Sequence, residues 1–449
     1  MFFGCEVLKG AVAYDANKTD AAMANPETGY FTSSSTPVAY VVVADGVLTF
    51  YYDNLRAERT GTVYGIHQKD TVKSKNPAWT GATNTVNITK AVFDASFKNY
   101  SPETTAFWFY NLSALNAIVG MENLNTSNVT DMGHMFQVCS SLREINLSSF
   151  NTSNVTDMDH MFIGCRGLME LDLSGFNTTN VTNMGAMFSG CSGLTKLDLS
   201  SFNTENVISM FGMFDGCSGL MELRLKSFNT ANVLSMTVMF RDCSKLTKLD
   251  LSNFNNVNVE RMDMMFSGCS GLTEFDLTNF NTANVTTMEQ MFEGCSGLKK
   301  IDISSFNTEN VNILNNMFRG CSGLTELDLT NFNTVNVSRM YGMFYGCSGL
   351  TTIYCDDTWQ CEWSDGMFSG CEMLRGAVAY DAGRTDYTMA NPETGYFTSR
   401  TVAIPSISTD ESCDGPTVIY NLQGIRMHDD LNSLPAGIYI INGKKVYVK

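Results

Sequence analysis

Residues 194–219 read L-T-K-L-D-L-S-S-F-N-T-E-N-V-I-S-M-F-G-M-F-D-G-C-S-G. The same word, lightly varied, stands before and after it. Its cysteine marks the beat: Cys139, Cys165, Cys191, Cys217, Cys243, Cys269, Cys295, Cys321 and Cys347 recur at an interval of 26 without a slip. A fixed period in the range of about 20–50 residues means a stack of units, each burying its apolar face against its neighbours.

Within the word, Leu194, Leu197 and Leu199 form L-x-x-L-x-L, a strand signature of leucine-rich repeats. Leu197 and Leu199 alternate inward, with Asp198 outward between them. Phe202 turns the chain into the core. Asn203 returns in every unit from Asn151 to Asn333, where an amide stacked once per coil can satisfy the turn's backbone groups. Met210, Met213 and Phe214 fall at i, i+3 and i+4, which predicts one face of a short helix. In the second unit, Thr156 stands at the N-cap position of that helix and Gly164 at its stop. The expected fold is therefore an α/β solenoid: a leucine-rich-repeat-like, right-handed array of strand–turn–short-helix units, with β-rich caps and a small C-terminal β unit.

The repeat explains the composition of the 449-residue chain. Its 27 Met and 14 Cys are largely columns of core residues counted once per coil. Met fills irregular gaps, and a free thiol is among the most buried side chains. The balance of 29 Lys and Arg against 46 Asp and Glu gives a net charge of −17. That argues against nucleic acid and against an anionic membrane surface as partners. No apolar run is long enough to cross a bilayer.

The outward strand positions form two columns. Glu170, Lys196, Glu222, Lys248, Glu274, Lys300 and Glu326 alternate in sign at every step, a ladder that favours one register. The next column reads Asn146, Asp172, Asp198, Arg224, Asp250, Asp276, Asp302 and Asp328. Either the neighbouring Lys column and water offset its charge, or it is an acidic strip for a cation or a basic partner. These two columns are the candidate binding face.

The array spans 109–371, with a divergent first coil (109–124) and a shortened last one, since Cys347 to Cys371 is 24 residues. The last coil carries Trp359, Trp363, Cys355 and Cys361. A Cys355–Cys361 disulfide would suit a secreted chain. Residues 1–32 match 367–398 at 25 of 32 positions, so the chain is expected to begin inside the end cap of an upstream array. Residues 33–108 read as a β-rich N-terminal cap, with strands flanking Asp45-Gly46. Residues 372–400 close the array and 401–412 form a linker. In 413–449, a small β unit, Asn442-Gly443 marks a hairpin.

The unit F-N-T-x-N-V-T-x-M-x-x-M-F-x-G-C-S-G-L-T-x-L-D-L resembles the repeat of BspA-like leucine-rich repeat surface proteins of Bacteroidetes, over about 109–371. The ending, from Tyr420-Asn421-Leu422-Gln423-Gly424 through Leu434-Pro435-Ala436-Gly437-Ile438-Tyr439 to Gly443-Lys444-Lys445-Val446, resembles the sorting tail of type IX secretion substrates. Together these resemblances imply a secreted or outer-surface bacterial protein. They also imply adhesion to host proteins, glycans or other cells.

No phosphate-cradling glycine loop or G-x-S-x-G elbow is present, and no cofactor is expected. His134 and His160 hold equivalent positions in adjacent coils, near Asp131 and Asp157; they read as surface histidines rather than a metal site. The expectation is a monomeric, non-enzymatic binding array. The alternatives are a glycan-active enzyme, whose only candidate coil holds Trp359, Trp363, Asp356 and Asp357, and a passive surface stalk.

Overall fold

The structure is a computed structural model. It describes residues 36–66, 76–80 and 87–400 apart from 362, and short pieces at 15, 17–18, 21–24, 419–420, 426–427, 434, 437–441 and 444–448. The 401–412 linker and most of 1–32 lie outside the described residues.

The N-terminal sheet holds β1 (Val38–Ala44), β2 (Val47–Asp53), β3 (Thr62–Gly65), β4 (Lys90–Phe93) and β5 (Ala117–Val119), in the order β3-β1-β2-β4-β5. β1 and β2 pair antiparallel around Asp45-Gly46, both at positive φ as such a tight turn requires. β2, β4 and β5 then run parallel, the direction of the array itself. The cap thus covers the array's first strand edge with a hairpin. Phe50, Phe93, Phe97, Trp79 and Trp108 fill the cap core, and the Trp79 indole N–H donates to the Trp108 carbonyl at 2.8 Å.

The array repeats one coil. Its first side is a row of three-residue parallel strands: β6 (Lys196–Asp198), β7 (Glu222–Arg224), β8 (Glu274–Asp276), β9 (Lys300–Asp302), β10 (Glu326–Asp328) and β11 (Thr352–Tyr354). Register is unshifted, with Lys196 beside Glu222, Leu197 beside Leu223 and Asp198 beside Arg224. At the far end β12 (Phe397–Thr398) adds a last parallel rung to β11, so the segment after Cys371 returns to cover that edge. In the tail, β13 (Ile419–Tyr420), β14 (Arg426–Met427), β15 (Gly437–Ile441) and β16 (Lys444–Val448) form an antiparallel sheet of order β14-β13-β15-β16.

The other side of the coil differs from the expected helix. Among the described residues the unit contains no α-helix. Between 158 and 165, alternate N–H groups leave the coil. Met158 donates to Asn183, His160 to Gly185, Phe162 to Met187 and Gly164 to Ser189, all carbonyls of the next coil. The intervening groups close reverse turns within the coil: Met161 to Met158, Ile163 to His160 and Cys165 to Phe162. A continuous set of parallel bridges, from Thr104 and Asp131 to Arg339 and Trp363, runs the length of the array here. Two positions per unit hold positive φ, such as His160 at 57° and Gly164 at 72°. A helix cannot contain them; a string of turns needs them. Nor does Thr156 cap a helix, since its N–H and hydroxyl both bond the Thr130 carbonyl of the preceding coil. The i, i+3, i+4 spacing of Met and Phe arises because i+3 turns also bring those side chains to one face.

Side chains complete the ladders. Thr152 Oγ1 donates to the Asn177 carbonyl at 2.9 Å and accepts from the Asn177 N–H at 2.8 Å, and this pair recurs down the array. The first Asn of each loop accepts from the N–H two residues on, as Asn203 does from Glu205 at 2.9 Å. The second reaches back, as Asn206 Nδ2 does to the Thr179 carbonyl at 2.8 Å. The core is columnar: Phe136 to Phe162 to Phe188 stack with ring centroids 5.4 and 5.8 Å apart, and Met158, Met161, Met184 and Met187 are fully buried.

The cysteine column consists of buried thiols. Each sulfur donates to a phenylalanine carbonyl of the preceding coil; Cys165 Sγ lies 3.0 Å from the Phe136 oxygen. Burial pushes Cys165, Cys217, Cys295 and Cys371 up to about 12, so the S–H proton stays on to make that bond. The Cys355–Cys361 disulfide is not formed. Both side chains are buried separately, with Cys355 Sγ directed at the Asp357 carbonyl (3.7 Å) and Cys361 Sγ at that of Trp363 (3.5 Å).

Candidate functional site

The strand ladder brings the expected face together. Glu170, Asp172, Lys196, Asp198, Arg224, Lys248, Asp250, Glu274, Asp276, Lys300, Asp302 and Glu326 are exposed; Glu222 and Asp328 are partly so. Within the alternating column, Lys196 Nζ pairs with Glu222 Oε2 at 3.8 Å. Arg224 spans both columns, reaching Glu222 at 2.6 Å and Asp198 at 3.4 Å.

The aspartates serve the backbone. Asp172, Asp198, Asp250, Asp276, Asp302 and Asp328 each accept the N–H two residues on, at 2.9–3.1 Å, and so close the turn that ends each strand. Asn146 does the same at 3.0 Å. Hydrogen bonds from the following Ser or Thr hold Asp172, Asp198, Asp250, Asp276 and Asp302 below the usual carboxylate range. Asp328 is also gripped by Arg400 at 3.0 Å, whose guanidinium lies 4.2 Å over the Tyr354 ring. Among the described residues, no three members of this column gather their oxygens closely enough to share an ion. The recurrence of aspartate here therefore has a local cause.

The turn ladder is the opposite case. Its framework is fixed, but its outward positions change from coil to coil. The position of Asp159 is Phe211, Asp263 and Tyr341 elsewhere, and that of Ile163 is Asp215, Arg241, Glu293, Arg319 and Tyr345. Phe211, Tyr341, Tyr345 and Trp363 are 47%, 51%, 46% and 64% exposed. Between them run specific polar contacts. Arg241 grips Asp215 with two bonds of 2.8 Å. Arg319 lies 3.6 Å from Glu293 and 4.8 Å over the Tyr345 ring. Asp263, nearly buried, accepts from Thr287 Oγ1 at 2.6 Å and from Arg261 Nε at 2.9 Å. Exposed Tyr, Trp and Arg are the residue types that dominate binding surfaces. Reading the strand face alone misses this surface; the signal that finds it is which positions of the unit vary.

In the last coil, two of the four candidate residues have structural partners. Trp359 is buried against Phe332 and Phe397. Asp356 accepts from Ser399 Oγ at 2.5 Å and the Arg400 N–H at 2.8 Å, which fastens the returning cap.

Comparison with known proteins places the repeat. The family described as "Mycoplasma protein of unknown function, DUF285" matches residues 103–222, 191–300 and 270–380, more than half of the chain. The chain belongs to this family. Its DUF285 repeats fit a BspA-like leucine-rich repeat protein. Among solved structures, a leucine-rich repeat protein from Bacteroides ovatus is similar at 16% identity and a TM-score of 0.39, over 76% of this chain and 92% of that one. A TLR13–ssRNA13 complex is similar at 17% identity and a TM-score of 0.21, over 64% and 46%. No curated protein matches. No helix among the described residues is long and apolar enough to cross a membrane.

Proposed function

We propose that this chain is a non-enzymatic surface protein that binds host or bacterial surface proteins or glycans through its repeat array. The observation that carries this reading is the contrast within one coil. A nearly constant frame of Thr, Asn, Cys, Phe and Met supports a turn-ladder face whose exposed residues differ at every step, with Phe211, Tyr341, Tyr345 and Trp363 standing out of it. A stalk would need no such variation. An enzyme would need a singular cluster, and the candidate last coil spends Trp359 and Asp356 on packing and on the cap.

The test is a matrix-protein and glycan array probed with the full chain, beside Tyr341→Ala and Trp363→Ala. Saturable binding that these variants weaken at unchanged thermal stability supports the reading. Silence throughout supports the stalk, and polysaccharide turnover supports the enzyme. We further propose outer-surface or extracellular localisation in a bacterium, directed by the 413–449 unit with its type IX-like pattern. Deleting that unit should strand the protein in the periplasm; unchanged surface display would refute the sorting role.

A further inference from the structure

We propose that His134, Asp159 and His160 form a binding site for one divalent transition-metal ion of the zinc class. The three side chains come from two adjacent coils of the turn ladder. Their nearest ligand atoms all lie within 4.8 Å of one another, the one such grouping of His, Cys, Asp or Glu among the described residues. Asp159 Oδ1 is 2.7 Å from His160 Nδ1, and its Oδ2 is 3.6 Å from His134 Nε2. Two imidazoles with a carboxylate suit zinc, copper or nickel, whereas calcium and magnesium take oxygen ligands. Three protein ligands leave a coordination position open to water or to a partner's donor.

Three further observations support the assignment. First, His134 Nδ1 bonds Gln137 Oε1, which assigns the ring proton to Nδ1 and leaves the Nε2 lone pair on the side of Asp159. Second, His160 Nδ1 is buried without an aligned hydrogen bond. Its 2.7 Å approach to Asp159 lies off the bonding direction, and a metal between the two would satisfy both atoms. Third, the carboxylate has room. Both neighbouring coils carry glycine at its position, and a Cβ on Gly185 would stand 2.9 Å from Asp159 Oδ1.

The two rings stack with centroids 4.7 Å apart and 18° between planes, and Phe107 stacks on the other face of His134 at 4.3 Å. Lone pairs in parallel planes do not meet, so binding requires the imidazoles to turn out of the stack. The histidine side chains are 25% and 30% exposed, so one side of the stack faces solvent.

The full chain, stripped with chelator, is titrated with ZnCl2 by calorimetry. The variants are His134→Asn, His160→Ala and both together. Asn316 and Ala186 occupy the same unit position in other coils, at φ of 54° and 49°, so these replacements suit the backbone. His67→Asn with His428→Asn is the control. The parental chain and the control should take up one ion and show a zinc-dependent rise in Tm. Loss of an outer-shell partner alone costs about 10–100-fold in metal affinity, so losing a ligand should weaken binding at least as much. The double variant should lose both the uptake and the Tm shift. No uptake by the parental chain, or equal affinity in the double variant, overturns the proposal.

Discussion

Five aspartates of the strand ladder and Asp157 of the turn ladder are displaced from the usual carboxylate range in opposite directions. On the strand ladder, Asp172, Asp198, Asp250, Asp276 and Asp302 are held below the usual carboxylate range by the Ser or Thr that follows each of them. On the turn ladder, Asp157 is held above it, by burial first and then by Asp131 and Asp159. The first group is a column of turn-closers whose identity follows from local geometry. The second sits in a cluster that the backbone does not require, since Asn183 and Ser209 serve at the same position in the next coils. In a repeat protein the column that never changes belongs to the frame. Function is to be sought where the frame permits change.

That division is broken most severely at a frame position. Thr204 Oγ1 donates to the Asn229 carbonyl and accepts from its N–H, both at 2.8 Å. Thr204→Val keeps the shape and removes both bonds, leaving two partly buried backbone groups unmatched at about 1–3 kcal/mol each. A loss of about 2–4 kcal/mol in urea unfolding is expected; a neutral result would remove threonine from the frame. The converse substitution exists in the chain already. Asn256 replaces threonine in this column, is 1% exposed, and has a buried Nδ2 without a partner. Asn256→Thr should restore the rung and raise stability by about 1 kcal/mol.

Much of the frame was legible in the sequence. The 26-residue period places every column, and Leu197 or Met210 could only be core once the period was read. The turn ladder was not, because Met210, Met213 and Phe214 have helical spacing and nothing in that spacing separates a helix from consecutive i+3 turns. The distinguishing signal was the glycine before most of the column cysteines, which marks positive φ, together with Ser, Asn, Thr and Val where a helix would prefer stronger formers. The aspartate column of the candidate face has a related explanation. A column of like charge draws attention, yet a column that repeats so faithfully is better explained by a local hydrogen bond, here the N–H two residues on. His134 and His160 were visible as a pair; Asp159 joins them only through the fold, because glycine on either side clears its space.

The opposed titrations can be separated by pH. A carboxyl lowered in the fold stabilises above its ordinary value of about 3.9 and loses that contribution as pH falls through its folded value. A raised one contributes below the ordinary value and loses that contribution as pH rises through its folded value. Asp276→Asn retains the turn bond, as Asn146 shows, and should flatten the acid limb of the stability curve with little change at pH 7. Asp157→Asn should raise Tm at pH 7, an advantage that closes on acidification. Curves of the same sign for both variants would contradict the contrast between the ladders.

The smallest effect is expected from the alternating column. Lys196, 73% exposed, stands between Glu170 and Glu222 and pairs with the latter at 3.8 Å. Lys196→Glu creates a run of three like charges at strand spacing, yet water screens each of them. The cost should be below about 1 kcal/mol and should shrink as salt rises from about 0.05 to 0.5 M, because the Debye length falls below the separation of all but nearest neighbours. A larger, salt-insensitive loss would mean that the charge ladder is part of the frame. A small, screened one leaves the strand face as a solvated surface whose order is set by the bonds beneath it.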